Sequence, residues 1–157
     1  MTDRIFTVEQ VAYDDPRGVA LRREMTVERL GLYGAAREEA SAAAEDIAPE
    51  AVIASFVASE ADRPVATGTV RRLRDLVEVK RLYLDPSVRG TGLASRLMDL
   101  LEEAAREAGA DRVVLHTGAR QLPAIALYER RGYVPLAIYP PYDTVPESLC
   151  FALPLTH

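Results

Sequence analysis

The stretch VKRLYLDPSVRGTGLASRLM, residues 79–98, decides the fold. A β-rich run ends at the turn Asp85-Pro86, and an apolar-periodic segment begins just after two glycines, Gly90 and Gly92. A helix N-terminus leaves backbone N–H groups unpaired and carries the positive end of the helix dipole, so it accepts an anion wherever nothing bulky covers it. Gly90 and Gly92 remove the obstruction, Arg89 adds a cation, and Thr91 and Ser95 offer hydroxyls, a set able to wrap a diphosphate. A plain strand-to-helix turn built on the same glycines is the structural alternative, and G-x-G alone does not separate the two. No G-x-x-x-x-G-K-[ST] is present, and five residues between strand and glycines disfavour a dinucleotide fingerprint, which leaves another phosphate-bearing cofactor.

Working outward, Leu93, Leu97, Leu100, Leu101, Ala104 and Ala108 share one helical face, and Gly109 follows at the C′ position. Upstream, residues 51–60, 64–73 and 76–84 are β-rich runs joined by short turns, a meander of three antiparallel strands. Before them lie a strand over 5–11, an amphipathic helix to about residue 30, a break at GLYG (31–34), and a short, mostly solvated helix over 35–46. Downstream the pattern predicts a buried strand over 111–118, a helix over 122–131 with Pro123 in its first turn, a strand over 133–139 and a last strand over 147–155. The order β-α-α-β-β-β-α-β-α-β-β describes one α/β domain over residues 1–157, with a mixed, mostly antiparallel central sheet flanked by helices.

A chain of 157 residues is long enough for one core. Its single cysteine, Cys150, excludes an internal disulfide and fits a reducing compartment. The two histidines, His116 and His157, make no metal-ligand spacing, so no metal is expected. No secretory leader or membrane-length apolar run appears, which predicts a cytoplasmic protein without a membrane partner. A formal net charge of −5 argues against a nucleic-acid partner and mildly favours a cationic or neutral small substrate.

Residues 79–98 resemble motif A of the GNAT superfamily of N-acetyltransferases, with Arg89-Gly90-Thr91-Gly92-Leu93-Ala94 matching its [Q/R]-x-x-G-x-[G/A] signature. RQLPAIALYERRGYVPL, residues 120–136, resembles the family's motif B, a helix carrying a tyrosine before a Gly-aromatic turn. The resemblance covers residues 51–155 and implies an acetyl-coenzyme A cofactor and a GNAT-like acyl-CoA N-acyltransferase fold. It implies further that the pyrophosphate sits on Arg89, Gly90, Thr91, Gly92, Leu93, Ala94 and Ser95, and that the pantetheine arm pairs with backbone groups of Leu82, Tyr83 and Leu84. Gln121 stands where many relatives carry an Asn that contacts the cofactor.

Acetyl transfer to an amine needs a neutral nucleophile and a proton for the departing thiolate. By the resemblance Tyr128 supplies that proton, the alternative being a core aromatic whose hydroxyl is merely satisfied. Glu78, between Val77 and Val79, is a candidate base, with a surface ion pair to Arg72 or Arg81 as the alternative. His116 is a second candidate base and reads more readily as a hydrogen-bonded core residue. Cys150 reads as a packed side chain. By resemblance the acceptor end lies between LGLYG and the loop IYPPYDTVPES, where Tyr33, Tyr139, Tyr142 and Asp143 would line the mouth and suit an alkyl-ammonium; packing of those rings on a stiff loop is the alternative.

Together these features predict an acetyl-CoA-dependent N-acetyltransferase acting on a small-molecule primary amine by direct ternary-complex transfer. A protein or peptide amine as acceptor, and a non-catalytic coenzyme A-binding regulatory module, are the competing readings; homodimerisation stays open.

Overall fold

The computed structural model describes residues 3–44 and 46–156. Among these, seven strands form one sheet: β1 (Thr7–Val11), β2 (Val52–Glu60), β3 (Arg63–Leu73), β4 (Leu76–Leu84), β5 (Arg112–Gly118), β6 (Val134–Leu136) and β7 (Ser148–Pro154). Their spatial order is β1-β2-β3-β4-β5-β7-β6. Every neighbouring pair is antiparallel except β4 and β5. Four helices pack on it, α1 (Pro16–Tyr33), α2 (Ala35–Ala44), α3 (Leu93–Glu107) and α4 (Leu122–Arg130).

The sheet is covered on both faces. Thr67 and Gly68 are consecutive on β3 and so point to opposite sides; Thr67 lies under Gly18 of α1, while Gly68 lies under Leu101 of α3. α3 buries Leu93, Leu97, Met98, Leu101 and Ala105, worth about 1.5–3 kcal/mol for each large side chain. Its last turn closes with Gly109 N–H donating to Arg106 O and Ala110 N–H to Ala105 O, the paired bonds of a Schellman stop. Arg131, just past α4, holds Glu102 and Asp99 of α3, and Tyr133 Oη donates to Glu102, so α4 is pinned to α3 by a partly buried charge cluster.

α1 starts on Asp15, whose carboxylate accepts from Arg17 N–H, with Pro16 in the first turn. The helix runs through Gly31 and stops only at Gly34, three residues later than GLYG suggests. Its buried stripe is Gly18, Leu21, Met25 and Arg29, roughly one residue per turn, and turns from apolar to cationic at its last member.

α2 departs from expectation more sharply. It buries Arg37, Glu38 and Ser41 rather than lying mostly in solvent. Glu45, which the sequence places near its end, lies outside the described residues, as do Met1, Thr2 and His157. β1 starts at Thr7, two residues later than the sequence suggests, and Ile5 is exposed. β6 is only three residues long; it is an edge strand, where Pro135 is tolerated, and the chain then leaves the sheet to bring Tyr139 to Glu78.

Candidate active site

The site is a defect in the sheet. Along β3 and β4 the register runs Thr69↔Lys80 and then Thr67↔Tyr83, so Gly68 faces two residues, Arg81 and Leu82. This bulge puts Arg81 at φ +60°, in the left-handed region, a strain of order 1–3 kcal/mol that the surrounding ladder must hold. β4 and β5 pair only at Glu78↔Val114 and Val79↔Leu115. Beyond those rungs the strands diverge, and an inner cleft of about 40 Å³ opens with Lys80, Arg81 and Leu82 on one wall and His116, Thr117 and Gly118 on the other. Gln121 and Tyr128 of the α4 region close its floor. A larger outer cleft of about 430 Å³ lies between α1, α2 and β4 and shares Arg29 and Arg81 with the inner one.

Where β4 ends, Asp85 accepts hydrogen bonds from the N–H and hydroxyl of Ser87, which hold its carboxyl below the usual range and fix the turn into a short 3-10 segment, Pro86–Val88. Gly90 and Gly92 follow at φ +77° and +86°. Gly92 is the N-cap of α3 in the left-handed conformation and offers no side chain to cap it. The first intrahelical bond is Arg96 N–H to Gly92 O, so the N–H groups of Leu93, Ala94 and Ser95 have no intrahelical acceptor. Apart from the chain neighbours, no atom lies within 4 Å of a methyl group built at Gly90 or Gly92. The loop is therefore open, and its donors fit a phosphate-bearing ligand.

Two side chains of this loop are already engaged. Thr91 Oγ1 donates to Val88 O, and Arg89 donates to Leu84 O and to Glu28 of α1. The carbonyl of Leu84 is thus taken by Arg89. Leu82 lines the cleft, while Tyr83 does not line it and packs with Leu21, Met25 and Val57. Gln121, the N-cap of α4, accepts from Gly118 N–H through Oε1, which spends one end of its amide on the β5–α4 turn.

Tyr128 faces the inner cleft from α4, packed among Tyr133 and Phe151. Its hydroxyl makes no hydrogen bond to the described residues, and burial pushes its pKa up to about 12. It therefore keeps its proton at neutral pH and has no competing acceptor for it. His116 also lines the cleft. Its Nε2 meets Ser148 Oγ at 2.8 Å, and Ser148 donates its own proton to Val145 O. That arrangement makes Nε2 the donor to Ser148. The ring stacks on Tyr142 at 3.9 Å.

Glu78 is not placed for a base. Its side chain is fully buried and lines neither cleft. Its carboxylate accepts from Arg71 Nε at 2.9 Å, from Tyr142 Oη at 3.1 Å and from Tyr139 Oη. The ion pair lies in the core with Arg71, directly opposite on β3, rather than on the surface with Arg72 or Arg81. Burial, followed by the Glu78 charge, raises the Tyr139 phenol far above its ordinary value.

The expected acceptor mouth is corrected as well. Tyr139 and Tyr142 are buried on Glu78, and Asp143 is exposed on a surface turn, Tyr142–Thr144. Tyr33 accepts from Arg120 N–H at 3.0 Å and sits directly on Gly118. None of the four lines either of these two clefts. The lining comes instead from Met25, Arg29 and Arg37, which local sequence did not single out. The readable signal was the spacing of Arg37, Glu38 and Ser41 among outward alanines. Because a methyl group on Gly118 would collide with Tyr33 Oη, Gly118→Ala is expected to destabilise the fold by about 1–3 kcal/mol; an unchanged urea midpoint would mean that Tyr33 is not clamped there. Cys150 is buried, and burial raises its thiol pKa, so it packs rather than reacts.

Among the described residues no helix is long and apolar enough to cross a membrane, and no His/Cys/Asp/Glu group is placed to hold a metal ion. The model of a family described as Acetyltransferase (GNAT) family matches residues 20–133. An IAA acetyltransferase of Azospirillum brasilense is 38% identical over 78 residues, 50% of this chain and 51% of that protein. The matched stretches span from 22% to 51% of the curated relatives' own lengths. A candidate acyl-CoA N-acyltransferase of Klebsiella pneumoniae superposes with a TM-score of 0.80 at 27% identity, over 97% of this chain and 99% of that one. A candidate streptothricin acetyltransferase of Bacillus anthracis, solved with acetyl coenzyme A, shares the fold with a TM-score of 0.59 at 15% identity, over 68% of this chain and 64% of that one.

Proposed function

The chain belongs to the Acetyltransferase (GNAT) family, and on that premise we propose that it moves an acetyl group from acetyl-coenzyme A to the primary amine of a small molecule within a ternary complex. The observation that carries this reading is the diverging β4–β5 gap, with a proton-bearing Tyr128 hydroxyl on its wall and the bare α3 N-terminus beyond its open end.

The backbone N–H groups of 90–95 hold the pyrophosphate, supported by the helix dipole. The edge of β4 along Leu82, Tyr83 and Leu84, unpaired by β5, guides the pantetheine arm toward Tyr128. Bound acetyl-coenzyme A supplies the acetyl group as a thioester whose sulfur is the leaving group. Tyr128 Oη gives its proton to that sulfur as it departs. His116, anchored by Ser148 on the cleft wall, takes the proton of the attacking amine, directly or through water. Glu78 positions Tyr139 and Tyr142, and Tyr142 in turn supports the His116 ring. No step calls for a metal.

Thiol release from acetyl-coenzyme A by the purified protein, against pooled small amines and short peptides, tests the reading. Release with a small-amine pool supports it; release with peptides alone overturns the acceptor class, and binding of the cofactor without release from any pool overturns transfer. Gly92→Val is the blocked control. A branched side chain at φ +86° costs roughly 1–3 kcal/mol, and about 1.4 kcal/mol is tenfold in affinity. The expected result is coenzyme A binding weaker by roughly 10- to 100-fold in calorimetry, and equal affinity would remove the loop from the cofactor site.

A further inference from the structure

α2 has an inverted buried face. Its exposed residues include Ala35, Ala36, Ala42 and Ala43, while Arg37, Glu38 and Ser41 point inward at 5%, 7% and 0% exposure. Each of those three leaves a buried polar atom without a hydrogen bond among the described residues: Arg37 Nη2, Glu38 Oε2 and Ser41 Oγ. Arg37 lines the inner cleft and Glu38 the outer one; buried polar atoms are nearly always satisfied, so an unsatisfied one on a cleft wall marks a place that a ligand completes.

Arg37 is the most telling of the three. It lines the inner cleft, its Nε donates to Pro146 O, and its guanidinium lies over the Tyr33 ring at 4.1 Å. No carboxylate stands within ion-pair distance of it among the described residues. A buried guanidinium without a counter-charge is costly to hold, yet this one is fixed in place by a ring below and a carbonyl beside it. Arg29, Lys80 and Arg81 bring further positive charge to the same lining, Arg29 with Glu38 as a partner at 3.2 Å. The described lining of the inner cleft contains no acidic residue.

We propose that the acceptor is an amine that carries its own oxyanion, a carboxylate or a phosphate, and that Arg37 grips that anion through its planar fork of donors. The inference rests on the acetyl-transfer reading for the word acceptor, but the anion site itself does not. The phosphates of the cofactor are poor candidates for Arg37. Their cradle lies beyond the far end of β4, with Leu82, Tyr83 and Leu84 adding about 10 Å of strand between it and Arg81. The cationic lining also replaces the alkyl-ammonium preference expected from overall charge and from the tyrosines.

Matched pairs of amines test it: several amino acids against the amines left when the carboxylate is removed, and phosphoethanolamine against ethanolamine. Binding of each to the protein saturated with coenzyme A is measured by calorimetry, which needs no turnover, and thiol release is measured in parallel. At least one anionic member is expected to bind about tenfold or more tightly than its partner; the amino-acid and phosphate arms say which oxyanion it is. Arg37→Gln is expected to abolish that difference, raising KM for the anionic amine about tenfold with kcat changed less than about threefold, and Arg37→Lys to restore part of it. Equal binding within every pair, no binding by any anionic member, or a preference that survives Arg37→Gln overturns the inference. The wild-type comparison stands even if a variant folds poorly. Transfer without preference for the anion would sink this inference and leave acetyl transfer standing, whereas anion-dependent binding without thiol release from any pair would do the reverse.

Discussion

Replacing Tyr128 by Phe is expected to lower kcat by roughly 10²–10⁴, the usual worth of a positioned acid, while coenzyme A affinity stays within about twofold. The ring remains to pack on Tyr133 and Phe151, and only the hydroxyl, which holds no other hydrogen bond among the described residues, is lost. The pH dependence follows from burial, which pushes the phenol up to about 12. The folded protein thus holds this proton more tightly than the unfolded chain, whose tyrosine titrates near 10. Stability from this group is fully present below about pH 10 and is lost as pH rises through about 12. Activity should accordingly show no basic limb from this residue up to about pH 10. A Phe variant that turns over within about threefold of wild type would remove Tyr128 from the chemistry.

Glu78→Ala is expected to cost stability instead. The fully buried carboxylate holds Arg71 and two phenols, and removing it takes the counter-charge from a buried cation and the acceptor from both phenols. Breaking such a buried pair from one side costs about 3–5 kcal/mol, a large part of the roughly 5–15 kcal/mol that holds a domain together. Urea denaturation measures it, and the pair replacement Arg71→Met with Glu78→Leu should recover most of the loss, since no charge is then left unpaired. A loss below about 1 kcal/mol for Glu78→Ala would show that the network does not anchor the segment carrying Tyr139 and Tyr142.

The strand and helix order was legible because each element carries its own period. α3 shows this most plainly: its leucines, the glycines before it and the Schellman stop after it are all local signals. The partner of Glu78 was legible in principle. The short turn at Arg74 and Asp75 sets Leu73 against Leu76, Arg72 against Val77 and therefore Arg71 against Glu78, a counting step that outperforms any appeal to nearby charges. The bulge was not legible, because Arg81 carries no sequence mark of its positive φ and the shift is imposed by the neighbouring strand. α2 misled for a different reason. A helix whose inner face meets a polar cleft rather than a core has the composition of a solvated one, so hydrophobic patterning describes it backwards.

The parting of β4 from β5 has a mechanical meaning as well. Within the sheet, two rungs join a half of four strands to a half of three, so the backbone ladder is stitched there along one short seam. A ligand arm laid beside β4 supplies rungs where the seam runs out. Part of its binding energy then goes into tying the halves together, and the melting temperature becomes a gauge of occupancy.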